Sequence, residues 1–239
     1  MNELNEMLTQ VFAKEEVQDL LFQMNLNKAP GPDGFPISFF HSYYSFIGDS
    51  MADACLSFLN EGGYLHKINH GHVVLIPKVK IPRRVGDFRP ISLCNVIYKI
   101  IAKVLANWLK PILQEIISPN QCAFVPSRLI TDNIIIGYEC LHKIRNQRRA
   151  KQCSVALKQD VSKAYDRIEW GFLKAVMLKL GFSSQWVQII YRCVSSSSFS
   201  LLVSGEVTCY IILQRGLKQC CPLSPYLFIL CTEALLSML

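Results

Sequence analysis

The sequence predicts an α+β fold, and three observations carry that prediction. Short apolar runs of strand length stand at 73–78, 154–160, 199–203 and 207–213, while longer stretches repeat apolar residues at helical spacing. Helix-like and strand-like segments do not alternate regularly, as a parallel βαβ array would require. The 239 residues, 51% of them hydrophobic, suffice to bury a sizeable core in one large domain or two small ones.

The elements follow in order. Residues 3–24 read as one amphipathic helix, with Leu4, Leu8, Val11 and Phe12 on one side and Leu20, Leu21 and Met24 later. Lys28 to Pro36 holds three prolines and two glycines, so it reads as a rigid, turn-rich loop. It lacks the Gly-Lys-Ser/Thr ending of a phosphate-cradling P-loop. Residues 37–60 look helical. Val73 to Lys78 is an apolar strand closed by Pro77, and Asp87 to Leu93 follows a basic loop. From Val96 to Ile117 a long stripe (Ile97, Ile100, Ile101, Val104, Leu105, Trp108, Ile112, Ile116) predicts a helix, with Lys99, Lys103 and Lys110 off the stripe. Pro111 is expected to kink or split it, because it removes a donor and crowds the preceding turn.

Residues 121–128 read as a loop or short strand, 131–147 as a helix, and 145–151 as a basic turn. Residues 154–160 read as a strand that ends in Asp160. Strict alternation puts Val155, Leu157 and Gln159 on one face and Asp160 on the more polar other. Ile168, Phe172, Val176 and Leu180 form the next helical stripe, which Gly181 terminates. Two strands flank Ser204-Gly205-Glu206 as a hairpin, and Gln214 to Pro225 is a loop feeding a final buried helix.

Charge is unevenly spread. Residues 1–64 hold nine acidic and two basic residues, net −7, whereas 65–239 hold 23 basic and nine acidic, net +14. A basic body suits a polyanionic partner; a lysine-rich solvated surface accounts for it equally well. Mean hydropathy is +0.24, yet the most apolar stretch, Pro222 to Leu239, is opened by two prolines and interrupted by Glu233. It reads as a buried helix, with no membrane partner. Ten cysteines without a CxxC pair fit reduced thiols inside a cell. His66, His70 and His72 cluster without a second ligand group at zinc spacing, so a polar loop or strand start is the better reading.

Several segments stand in a telling order. Ile76-Pro77-Lys78 precedes Phe88-Arg89-Pro90-Ile91-Ser92. Gln121 to Arg128 with Thr131-Asp132-Asn133 comes next, then Asp160 to Asp166, then Arg215-Gly216-Leu217-Lys218-Gln219 through Pro225. This series resembles the reverse transcriptase of non-LTR (LINE-type) retrotransposons, most closely the plant branch, and Lys28 to Gly34 matches that family's N-terminal segment. The resemblance spans essentially the whole chain.

It implies a right-hand polymerase: an acidic helical extension over 1–64, fingers over 65–150, and a partial palm with an antiparallel sheet over 151–239. The resemblance further implies that these residues hold no thumb, and it leaves 190–215 open between palm and fingers. The implied reaction is RNA-templated DNA synthesis from dNTPs on a DNA primer, with Mg²⁺. Asp160 matches the catalytic aspartate that binds the ions, aided by the carbonyl of Val161; a solvated strand end or a helix cap would explain Asp160 by itself. Tyr165 matches the steric gate against ribose, its alternative being a core tyrosine. Lys78 and Arg89 match the residues that meet the triphosphate, although Arg89 could simply pair with Asp87. Gln219 matches the glutamine beside the nascent base pair. Arg128, Lys99 and Lys103 are candidate nucleic-acid contacts, and Asp166 reads as a helix N-cap. Nuclear residence is implied by the element's life cycle alone.

The sequence also departs from the family pattern. No aromatic-Ala-Asp-Asp stretch follows Pro225, so the resemblance implies a truncated domain without activity by itself. Cys220 and Ser127 stand where the family has glycine, Trp108 where it has arginine, and Gln159 where it has an apolar residue. Cys220 is expected to obstruct the base pair or strain its turn, and Gln159 to leave an amide buried. Such changes fit drift in a decaying copy.

Overall fold

The computed structural model describes residues 2–146 and 154–238. The expected helix over 3–24 is two helices, α1 (Asn2–Leu8) and α2 (Lys14–Phe22). The break has a local cause. The Asn60 side chain pairs with both backbone groups of Phe12, accepting from its N–H at 2.9 Å and donating to its carbonyl at 3.1 Å. Those groups are thereby withdrawn from helical bonding, and Phe12 turns inward while Val11 is left 80% exposed. Helices α3 (Ile37–Ser42) and α4 (Tyr44–Glu61) follow the turn-rich loop. That loop is clamped to the start of α5 (Val96–Ile116). A Cβ on Gly31 would fall 2.2 Å from Asn95 Oδ1, so only glycine permits the approach.

Helix α5 is the spine of the core. Eleven of its residues are buried, and it continues unbroken through Pro111. The expected split does not occur because Ile112 and Leu113, directly after the proline, are fully buried, and packing outweighs the lost bond. Trp108 faces Phe12 at 4.1 Å and Trp186 at 6.4 Å between ring centroids, and its indole N–H donates to Glu16 at 2.6 Å. The tryptophan is thus part of the core.

Strands β1 (His70–Pro77), β2 (Phe88–Cys94), β3 (Ser198–Val203) and β4 (Glu206–Ile212) form one sheet in the order β2-β1-β3-β4. The β1–β2 and β3–β4 pairs are antiparallel, and β1–β3 is parallel. The sheet is therefore mixed, which corrects the expected antiparallel one. Pro90 is tolerated because β2 is an edge strand. Ser204 and Gly205, both at positive φ, make the tight turn between β3 and β4.

Residues 154–160 are not a strand. The segment is irregular and exposed, with Val155 at 85% and Leu157 at 80%. A strand needs a ladder partner, and among the described residues none lies beside it. Gln159 is consequently exposed, and the expected buried amide does not arise.

Helix α6 (Ile130–Asn146) has no buried residue, and the basic turn expected at 145–151 lies mostly outside the described residues. Helix α7 (Trp170–Lys179) buries Val176 of the expected stripe together with Trp170, Leu173 and Met177, Ile168 and Leu180 are partly buried against the core, and Phe172 stays 39% exposed. Helix α8 (Ser184–Ser195) packs on α7, and α9 (Ser224–Leu236) buries Leu227, Ile229 and Leu230. No described helix is long and apolar enough to cross a membrane.

Candidate active site

The loop after β4 is stitched to the turn after Asp160. Gly216 N–H donates to the Ile168 carbonyl at 2.7 Å, and Leu217 N–H donates to the Tyr165 carbonyl at 3.0 Å. Trp170 Nε1 donates to the Gly216 carbonyl at 2.8 Å. The approach is close: Gly216 lies at φ +89°, and a Cβ there would sit 3.3 Å from the Asp166 Cα. Two segments about fifty residues apart in sequence are thereby locked side by side.

Beside this junction lies a cavity of about 470 Å³. Val73, Pro90, Ser92, Phe199 and Leu201 floor it from one face of the sheet, and Asp166, Arg215 and Gln219 border it. Tyr165 is half-buried, its ring stacked on Phe228 at 5.0 Å. Burial pushes its phenol upward from the ordinary range, so it stays neutral, and it is not itself part of the cavity lining. Asp166 does not cap a helix. A 3-10 turn covers Ala164–Arg167, α7 starts only at Trp170, and Asp166 lines the cavity instead.

Lys218 has no counterpart in the sequence expectations. It is 4% exposed, with its ammonium between the rings of Tyr98 (4.4 Å) and Phe199 (4.9 Å). It donates to the Asn69 carbonyl at 2.8 Å and to Asn69 Oδ1. Asn69 in turn donates to the Cys193 carbonyl and to Ser196 Oγ, both at 2.8 Å. Burial lowers the pKa of Lys218, and the nearby Cys94, Cys221 and Cys193 thiols only oppose this. The lysine pins the Gln219 loop to the start of β1 and the end of α8. A lone lysine in a loop, here between Leu217 and Gln219, reads as solvated, so no sequence signal marked its burial.

The remaining candidates lie outside the cavity lining. Asp160 is exposed on its irregular segment, and Val161 is 48% exposed against a separate apolar cavity with Phe172 and Phe228. Lys78 follows β1; its backbone N–H continues the ladder to Asp87 and its amine donates to the Gly86 carbonyl at 3.2 Å. Arg89 pairs in register with Ile76, so alternation puts it on the face away from Val73, Pro90 and Ser92. Arg89 is not paired with Asp87, whose carboxylate accepts from the backbone of Arg83 and Arg84 and is held below its usual range by those bonds. Arg128 is occupied. Its guanidinium donates to the carbonyls of Gln114 (3.3 Å), Ile117 (3.0 Å), Ser118 and Gln121 (2.8 Å), closing the C-terminal end of α5. Lys99 and Lys103 are half-buried on α5. His70 bonds Ser198 and Ser200 across the sheet, which accounts for it structurally.

Asp160 offers Mg²⁺ a hard oxygen donor of the right kind. Among the described residues, however, no three acidic, histidine or cysteine side chains gather closely enough to hold an ion. These residues do not make a complete two-ion centre.

Known proteins share the pattern. The family described as reverse transcriptase (RNA-dependent DNA polymerase) matches residues 76–239. The chain is 30% identical over 225 residues to the transposon TX1 uncharacterized 149 kDa protein of Xenopus laevis, covering 94% of this chain and 17% of that protein. It is 29% identical over 235 residues to the retrovirus-related Pol polyprotein from type-2 retrotransposable element R2DM of Drosophila melanogaster, covering 98% and 22% respectively. A Popillia japonica R2 polyprotein is 25% identical over 155 residues, covering 64% of this chain and 21% of that protein. The chain spans about a fifth of the length of these relatives.

Proposed function

Because the chain belongs to the reverse transcriptase (RNA-dependent DNA polymerase) family, we propose that it is the template–primer and dNTP-binding part of a LINE-type RNA-directed DNA polymerase. The reaction it serves is nucleotidyl transfer from a dNTP to a primer 3′-hydroxyl. The observation that carries this reading is the lock between the Tyr165–Asp166 turn and the Gly216–Gln219 loop beside one cavity. A neutral ring at Tyr165 and an amide at Gln219 would bracket a sugar and a base: the ring crowds a 2′-hydroxyl, and the amide hydrogen-bonds at the base-pair edge. Lys78 and Arg89, both unpaired with carboxylates among the described residues, would receive the triphosphate as their sheet end moves over it. Asp160, with the Val161 carbonyl, would contribute ligands for the Mg²⁺ that the family's chemistry uses.

One exposed carboxylate is too little for two ions, so this chain by itself is expected to bind without extending a primer. The test is a ternary complex: the chain, a poly(A)–oligo(dT) template–primer and a nucleotide. Stabilisation of the complex by dTTP but not UTP, with UTP admitted by Tyr165→Ala, is the expected result. Equal response to dTTP and UTP in the unmodified chain would contradict the reading. Primer extension that Asp160→Ala abolishes would overturn the expectation of an incomplete centre. A second reading, a non-catalytic nucleic-acid-binding remnant, is favoured by Cys220 and Ser127, side chains held in glycine-like backbone. It predicts duplex binding with no nucleotide response.

A further inference from the structure

We infer that one face of α5, with the loop before α3, is a track for the phosphate backbone of a single nucleic-acid strand. The inference rests on the proposed function and names a surface for its template. Lys99, Lys103 and Lys110 lie four and then seven residues apart on α5, so the helical repeat holds them within about 40° of one another. The first and last are separated by about 16 Å along the axis, the rise of about five stacked nucleotides. Lys99 donates to the Ala29 carbonyl at 2.7 Å, which brings the Lys28 loop alongside. At the far end the Lys110 ammonium stands 5.8 Å from the centre of the half-buried Tyr226 ring.

These ammoniums lack carboxylate partners. Among the described residues the ion pairs are Lys14–Asp49 and Arg215–Glu169. The acid facing the group is Asp33, close to Lys99 but not paired with it. Burial lowers the pKa of Lys99 and of Lys103, and the neighbouring charge of Lys28 lowers both further, joined at Lys103 by Lys110. Half-buried, mutually repelling and unpaired, the row costs the fold stability that a polyanion would restore. A single file ending on an aromatic ring matches one strand, with phosphates on the amines and a base on the ring; a duplex presents two rows of phosphates.

The test uses the whole chain and a fluorescent 20-nucleotide single-stranded RNA, titrated at several salt concentrations. The track variant is Lys28→Gln, Lys103→Gln and Lys110→Gln together; Lys99 is spared because it holds Ala29. The control is Lys67→Gln, Lys143→Gln and Lys179→Gln, exposed lysines elsewhere with the same charge change. The track variant is expected to flatten the slope of log K against log salt by about 2, from about 0.7 per phosphate. It should also weaken binding at least tenfold near 100 mM salt, with arginine at the three positions restoring both. Lysine acetylation of the unmodified chain supplies a readout that needs no variant: RNA should protect Lys28, Lys103 and Lys110. An equal loss in the control, absent protection, loss on blunt duplex only, or competition by poly-glutamate as strong as by RNA would each overturn the track. The dTTP-over-UTP response of the ternary complex tests the proposed function without the track variant, so failure of the track and failure of that reading are read out separately.

Discussion

Cys220 sits at φ +69° and Ser127 at φ +62°, a backbone region that costs a side-chain-bearing residue about 1–2 kcal/mol and glycine nothing. The reverse transcriptase resemblance expects glycine at both. Both side chains thus stand in backbone that glycine would adopt without strain. Cys220→Gly and Ser127→Gly are each expected to stabilise the chain by about 1 kcal/mol in urea unfolding, reduced by the added unfolded-state entropy of glycine; no gain at either would show the strain to be relieved elsewhere. The buried thiols are inert by the same logic of environment. Burial pushes Cys94 up to about 11 and Cys55 and Cys231 up to about 12. Maleimide labelling of the native chain followed by mass spectrometry should mark the exposed Cys140, Cys209 and Cys220 well before these three. Glu16 bears a sign that can be checked. Burial raises its pKa, opposed by the Trp108 bond, so its charged form is disfavoured in the fold. Stability linked to it is present below the unfolded value and lost as pH rises through the folded one. Glu16→Gln, which keeps an acceptor for Trp108, should gain on the unmodified chain between acid and neutral pH in thermal melts.

At the scale of elements, the Arg128 clamp satisfies the Gln114 carbonyl in the last turn of α5 and the Ile117 carbonyl directly after it. Arg128→Ala is expected to cost about 2 kcal/mol in urea unfolding, the worth of one or two charge-assisted bonds net of solvation. Hydrogen exchange should locate the loss at 114–121. What was legible in the sequence divides along physical lines. The hairpin of β3 and β4 was readable because Ser204-Gly205 and the apolar runs are local signals. The parallel pairing of β1 with β3 was not, because 128 residues, helices α5 to α8 among them, separate partners such as His70 and Ser198 that only tertiary packing brings together. The 154–160 segment has strand composition, yet composition describes a tendency to pair and says nothing about a partner. The α2 break came from Asn60, forty-eight residues away from Phe12, which no periodicity in 3–24 could contain.

For the whole molecule, the site is built at the meeting of distant pieces. Gln219 is positioned on one side by Gly216 and Leu217 bonded to the Tyr165–Ile168 turn, and on the other by Lys218 buried against Asn69, Tyr98 and Phe199. The order of motifs in the chain identified Tyr165 and Gln219 as candidates and held Lys218 within the same motif, but nothing in it showed that this lysine is buried and fixes the loop. Lys78 and Arg89 were equally visible in sequence, yet strand alternation turns Arg89 from the cavity face. A nucleotide contact from that side requires the sheet end to close over the ligand. The most direct measurement is photocrosslinking of a dNTP analogue carrying a base-linked azide, bound to the chain with a poly(A)–oligo(dT) template–primer. Adducts confined to residues 165–169 and 214–219, and suppressed by excess dTTP, are the expected result. Adducts elsewhere, or adducts that dTTP leaves untouched, would contradict a nucleotide site at this junction.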